Sequence, residues 1–287
     1  MDSISFYFAV EVVSHLKKLG DVQTLGGVWR SAALEEANSR IICSLGLSPC
    51  GRVTYYGFVC EPGGRMSFEE VKKLNPRRLR VRRITLSACC NYKIEEELLP
   101  ELLSFVNRYL TYGQRLIIMD ISDRHQFLLQ SIYSLRNVRE VVLWYRSTDS
   151  ERFLLQLLRQ ARPEVLRLKM GWPLDTLDIL TEEWAKSGIR DIYIDDTSND
   201  FATLQQDLNS LRKIYQLWMD GFFVTRRLDA VFLLQHDLSV LDTVFGPSIG
   251  DLSSKKWCFR HSSQGTFELF AYWRSELRFP RIRILIA

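Results

Sequence analysis

The chain has 287 residues, 46% of them apolar, and a formal net charge of +4 at pH 7. That apolar content excludes disorder as the default and is enough for a substantial core, in one large domain or two modest ones. The small net charge argues against generic nucleic-acid binding, and no stretch approaches the ~20 apolar residues of a membrane span.

Residues 1–40 predict compact helices. Phe8, Val12, Val13 and Leu16 share one face, Gly20 breaks the pattern, and Leu25, Val28 and Trp29 resume it before Ala32 and Ala33. The paired Gly26 and Gly27 argue against one long helix. An apolar stretch from Ile4 to Val13 has Asp2 before it and Glu11 within it, which does not fit a secretory signal.

Residues 41–79 form the next region, a hairpin and connecting helix. Ile41, Cys43, Leu45 and Leu47, then Val53, Tyr55, Gly57 and Val59, alternate with period two around Ser48, Pro49, Cys50 and Gly51. A stretch with proline and glycine follows at Glu61 to Arg65, and then a helix around Phe68 to Leu74.

Residues 80–246 carry a recurring signature, apolar-x-x-apolar-x-apolar, starting at Val81, Leu116, Val138, Pro163, Ile189 and Ile214. The steps are 35, 22, 25, 26 and 25 residues, and the last four fall within the leucine-rich-repeat period. Each signature ends in two apolar residues separated by one, which places both on the same face of a strand. Helical spacing follows in Phe127, Leu128, Ile132 and Leu135, in Phe153, Leu154, Leu157 and Leu158, and in Leu174, Leu177, Leu180 and Trp184. Asp149 and Ser150, and then Asn199 and Asp200, read as N-caps, and Gly188 as a left-handed C-cap. The predicted fold class is α/β, a leucine-rich-repeat-like solenoid of strand-helix units; an open doubly wound sheet is the alternative. Residues 247–287 hold a second hairpin, Lys256 to Arg260 and Thr266 to Tyr272, as a terminal cap.

Catalytic signatures are missing: there is no G-x-S-x-G, P-loop, G-x-G-x-x-G or H-E-x-x-H. The six cysteines (43, 50, 60, 89, 90 and 258) include no C-x-x-C, and His15, His125, His236 and His261 complete no zinc pattern. Reduced thiols in a cytosolic or nuclear chain, with no cofactor and no metal, are the expectation. Arg77, Arg78, Arg80, Arg82 and Arg83 form the densest charge run; alternation puts Arg82 and Arg83 on opposite faces, which favours a solvated edge over a phosphate site. Asp195 and Asp196 read as a solvated strand end. The outward strand positions are more telling. At matching register they give the rows Ser87, Ser122, Trp144, Lys169, Asp195, Asp220 and Thr85, Asp120, Val142, Arg167, Tyr193, Trp218. Aromatics mixed with charge on an exposed sheet suit protein binding, so the target-binding candidates are Trp144, Arg167, Lys169, Tyr193, Asp195, Trp218 and Asp220.

Met1 to Phe8, the apolar face through Val12, Val13 and Leu16, then Leu25, Val28 and Trp29 with Ala32 and Ala33 resemble a degenerate F-box. The order of elements is similar to a nematode family in which a short F-box-like segment precedes a divergent leucine-rich-repeat-like region. Phe6 and Phe8 stand in place of the Leu-Pro that opens an F-box, and the asparagine that follows the strand in such repeats is missing. The resemblance implies a substrate receptor of a cullin-type ubiquitin ligase, a binding protein rather than an enzyme. Phe6, Phe8, Val12, Val13, Leu16, Leu25 and Trp29 would dock on a Skp-type linker, and the repeat sheet would capture a protein target. Two other readings stand beside it: a repeat scaffold without a ligase role, and an α/β enzyme using Asp120, Asp195 and Asp220 with His125.

Overall fold

A computed structural model describes the chain apart from residues 1–3, 17–18, 51–52, 87–89, 111–113, 120–125, 134, 161–162, 171, 173–174, 196–207, 234–238, 251–253, 262–264, 273–280 and 287. The architecture is mixed α/β, with a large, mostly open sheet and helices. Two units divide it, residues 1–116 with 134–137, and residues 117–133 with 138–287.

The first unit opens with α1 (Phe6–Ser14), α2 (Gly20–Gln23) and α3 (Gly27–Ser39). Ala9, Val13, Ala32 and Ala33 form a small closed core, with Val10, Leu19, Val22, Val28 and Trp29 packed against it. Small residues at the crossing of α1 and α3 let the helices approach closely. Strands β1 (Ile41–Cys50) and β2 (Val53–Glu61) then make the expected hairpin. Strict alternation puts Cys43, Leu45 and Leu47 opposite Cys60, Phe58 and Tyr56 on the buried face. Cys43 and Cys60 are joined as a cross-strand disulfide, which corrects the expectation of reduced thiols for this pair. Sequence spacing could not signal it, because the two cysteines meet only through the hairpin register.

Beyond β2 come β3 (Gly64–Met66), α4 (Phe68–Lys72), β4 (Leu79–Leu86), β5 (Tyr92–Ile94) and α5 (Leu99–Tyr109). The strands lie in the order β4-β1-β2, with β3 and β5 both on the far edge of β2. A capping box starts α4: Ser67 accepts from the Glu70 amide, and the Glu70 carboxylate accepts from the Ser67 amide at 2.7 Å. Leu99, Leu102, Leu103 and Val106 bury one stripe of α5. Strand β4 pairs in parallel with β1, but the register shifts so that Cys43 faces Val81 while Ser44 faces Arg83. Arg82 is therefore the extra residue of a bulge, which is how Val81, Ile84 and Leu86 can all be buried.

Strand β6 (Arg115–Ile118) spans the division between the units. The second unit contains α6 (Gln126–Tyr133), β7 (Glu140–Trp144), α7 (Thr148–Gln160), β8 (Val165–Lys169), α8 (Asp175–Glu183) and β9 (Asp191–Asp195). It continues with α9 (Leu208–Met219), β10 (Arg227–Leu233), α10 (Ser239–Phe245), β11 (Ile249–Gly250), β12 (Ser254–His261), β13 (Gly265–Tyr272) and β14 (Arg281–Ile286). The order is β7-β8-β9-β10-β14-β13-β12-β11, parallel through β10 and antiparallel after it. One buried row runs Leu143, Leu168, Ile194, Ala230, Ile284, Leu269, Trp257, directly paired at each step. The C-terminal strands thus continue the sheet past β10 rather than leaving its edge open.

Three of the expectations need correction, and a fourth falls outside the described residues. The signature at Ile214 is not a strand: Leu211, Ile214 and Trp218, at helical spacings of three and four, are the buried stripe of α9, and the signature's last residue, Met219, is exposed. The next strand is β10, where Leu228 and Ala230 face inward. Asp149 and Ser150 lie inside the first turn of α7, and Ser147 Oγ accepts from the Asp149 amide at 3.3 Å. Gly188 is not left-handed; α8 ends in a 3-10 turn at Trp184–Lys186, with Ser187 extended after it. Asn199 and Asp200 lie outside the described residues.

Candidate functional site

The outward face of the second unit's sheet holds Val142, Arg167, Tyr193 and Asp229 in one paired row and Trp144, Lys169 and Asp195 in the next. These side chains interlock. Arg167 Nε donates to Glu140 Oε1 at 2.6 Å, and its guanidinium lies over the Tyr193 ring at 4.2 Å. Lys169 Nζ donates to Asp195 Oδ2 at 3.2 Å, and Arg146 sits 5.7 Å from the Trp144 ring centroid. Farther along, Arg283 grips Asp229 with two hydrogen bonds of 2.9 and 2.7 Å, and Lys256 pairs with Glu268 while lying over Phe270. Each exposed pair contributes about 0.2–1 kcal/mol. Their larger effect is to hold aromatic and charged groups in fixed positions on a half-exposed face.

Five of the seven sequence candidates, Trp144, Arg167, Lys169, Tyr193 and Asp195, share this face. The other two do not. Trp218 is 1% exposed on α9, packed with Tyr215 and Phe267, and Asp220 follows the helix end. Asp229 takes the strand position expected for Trp218. Glu140, Asp229, Glu268 and Arg283 were missed, although the alternation Arg227, Leu228, Asp229, Ala230 was a usable signal for β10. Of the enzyme candidates, Asp120 and His125 lie outside the described residues, as does Asp196, while Asp195 is paired with Lys169. Among the described residues no three His, Cys, Asp or Glu side chains converge as metal ligands, and no described helix is long and apolar enough to cross a membrane.

The helical segment presents a different kind of surface. Val13 belongs to its core and Trp29 packs on that core, so these two candidates have structural work. Phe6, Phe8, Leu16 and Leu25 are exposed, and Val12 is half-buried. Tyr7, which the sequence reading passed over, is 83% exposed and meets Phe6 edge to face. Phe6, Tyr7 and Phe8 follow one another at the start of α1, and exposed apolar side chains concentrated in this way are the composition of a contact surface.

This segment is tied to the sheet of its unit by a buried charge cluster. Glu36 and Arg40 are each 5% exposed, with Arg40 Nε donating to Glu36 Oε1 at 2.8 Å. Arg40 Nη2 also donates to the Leu16 carbonyl at 2.7 Å, and Arg80 Nη2 to the Ser14 carbonyl at 2.9 Å. Both guanidiniums therefore cap the C-terminal end of α1, where cations are favoured. Arg80 also reaches Glu36 Oε1 at 3.4 Å, and burial, then the Arg40 charge, hold its pKa below the usual arginine range. Arg80 was expected in a solvated charge run; it is instead the latch between α1, α3 and β4. No family model matches the chain, and neither does any curated protein or solved structure.

Proposed function

We propose that this chain is a protein-binding adaptor, a substrate receptor of a cullin-type ubiquitin ligase. In this reading α1 docks on a Skp-type linker, and the strand-helix units form a leucine-rich-repeat-like solenoid whose sheet captures a protein target. One observation carries it. The helical segment completes its own core with Ala9, Val13, Ala32 and Ala33 and still displays Phe6, Tyr7 and Phe8. Those rings lie outside that core, and the apolar surface they leave in water is what a partner would bury.

The docking set is accordingly Phe6, Tyr7, Phe8, Leu16 and Leu25, with Val12 at its margin. Val13 and Trp29 support it from beneath. The target face is the interlocked array around Arg167, Tyr193, Trp144 and Lys169, where a stacked guanidinium and two large rings suit the centre of an interface. A pulldown of the full chain by a purified Skp-type linker tests the docking half. Wild type is retained and Phe8→Glu is lost, with unchanged circular dichroism. Retention of both, or of neither, contradicts the reading.

A further inference from the structure

A concavity on the first unit belongs to neither of these surfaces. It encloses about 180 Å³ on the outward side of β1, β2 and β4. Its floor is Gly46 and Gly57, directly opposed across the hairpin, and Arg65, Arg82, Arg83, Asn91 and Tyr92 stand around it.

Two glycines facing each other in strand interiors are costly, because glycine gives up more chain freedom than any other residue and packs nothing. Backbone geometry does not demand them: neither has positive φ. Crowding does not demand Gly57 either, since an added Cβ would meet nothing nearer than the Asn91 amide nitrogen at 3.9 Å. What the pair does is leave open a space that side chains would fill. Glycine in a strand marks a bulge, a bend, or the close approach of a ligand or of another backbone; the β1–β2 register is unbroken at this pair, and the Asn91 backbone comes only to ordinary contact distance.

The chemistry around that space is one-sided. Three guanidiniums line it, and no carboxylate does among the described residues. The bulge at Arg82 makes this possible, because it brings Arg82 and Arg83 to the same pocket where simple alternation would separate them. Arg82 is held by Ser44 Oγ at 2.9 Å and by Glu61 at 3.0 Å, and Arg65 Nη1 donates to Asn91 Oδ1 at 3.3 Å. The arginines are thus oriented by neutral or partly compensating partners, and Arg83 is exposed at the rim. Counting Glu61 against the three arginines leaves two uncompensated positive charges, matching a phosphomonoester dianion better than a single carboxylate.

We propose that this pocket binds the phosphate group of a phosphomonoester, with Arg83 and Arg82 as the charge-bearing contacts and the Gly46–Gly57 floor admitting the group against the sheet. Phenyl phosphate is the first probe, titrated against the full chain at pH 7.5 and constant ionic strength with phosphorus NMR line broadening as readout. Arg83→Gln weakens binding about tenfold or more, as expected for loss of a charge-assisted contact. Gly57→Val fills the floor and abolishes binding. Arg152→Gln, on α7, changes nothing. Circular dichroism confirms that each variant is folded, and Gly57→Ala replaces the valine variant should that one fail to fold. Benzoate binding as tight as phenyl phosphate overturns the assignment, and so does binding that survives both Arg83→Gln and Gly57→Val. Free phosphoserine and phosphoserine within a glycine-flanked peptide then separate the sources. Binding of the free form alone assigns a small metabolite, and binding of both assigns a group displayed on a peptide.

Discussion

Glu36→Ala should loosen the N-terminal helices from the rest of the first unit. Glu36 lies between two guanidiniums, Arg40 with its side chain 3% exposed and Arg80 at 14%. Removing one partner of a buried ion pair costs about 3–5 kcal/mol, since the remaining charge stays out of water. Here part of that loss is offset. Arg40 keeps the Leu16 carbonyl, and Arg80 keeps the carbonyls of Ser14, Arg77 and Leu79. About 2–4 kcal/mol therefore remains. Because the chain has two units, one denaturation midpoint would mix their stabilities, and amide hydrogen exchange is the better assay. At 1.4 kcal/mol per tenfold, protection of the Val13, Ala32 and Ala33 amides should fall about 30- to 700-fold. Glu36→Gln keeps an acceptor but not the charge and should cost about half as much. Protection in Glu36→Ala within a factor of about three of wild type would refute the latch, since that is the scale of an ordinary surface change.

Trp218→Ala should cost about 3–5 kcal/mol because it empties a buried site beside Tyr215 and Phe267, whereas a tryptophan on an open strand face would cost little; a thermal melt decides. Arg167→Ala removes both the Glu140 contact and the stacking on Tyr193 and should destabilise by about 1 kcal/mol in urea, with Arg167→Lys recovering less than half because it lacks the planar group. Lys255, with help from Ser248, holds the Asp242 carboxyl below its ordinary value, so the contribution of Asp242 is fully present above the usual carboxylate range and is lost as pH falls on through the depressed value. Asp242→Asn should accordingly lower the melting temperature at pH 7, by the equivalent of about 1 kcal/mol or less, and the difference from wild type should shrink as pH falls below the usual carboxylate range; a gap that stays constant throughout the acid range would argue against the pair.

What the sequence revealed depended on whether the relevant signal was local. The hairpin of β1 and β2 and that of β12 and β13 were legible because alternation with period two brackets a short polar turn in each. Strands β7, β8 and β9 were legible because their inward pairs, such as Leu166 and Leu168, recur at nearly constant spacing. The same pattern misled at Ile214, because an apolar-rich amphipathic helix with Leu211, Ile214, Leu217, Trp218 and Met219 contains the signature by chance while burying a stripe at spacings of three and four. Arg82 and Arg83 were misplaced because a bulge is a property of a strand pair, invisible in either strand alone. The Cys43–Cys60 disulfide and the Glu36, Arg40, Arg80 cluster were hidden for the same reason, since their partners meet only in the folded unit. On the helical segment, apolar spacing found the amphipathic helices but could not tell Val13, which fills a core, from Phe8, which is 57% exposed.

The latch also bears on how docking should be tested. Deleting residues 1–40 would strip Arg80 of Glu36 and of the Ser14 carbonyl, so lost binding could reflect a damaged first unit. Hydrogen exchange of the intact chain, with and without a saturating Skp-type linker, avoids that ambiguity and tests the adaptor reading most directly. The account predicts new protection over Phe6–Ser14 and around Leu25, with the outward residues of β7, β8 and β9 unchanged and free for a target. No change anywhere, or protection confined to the sheet with α1 unaffected, would contradict it.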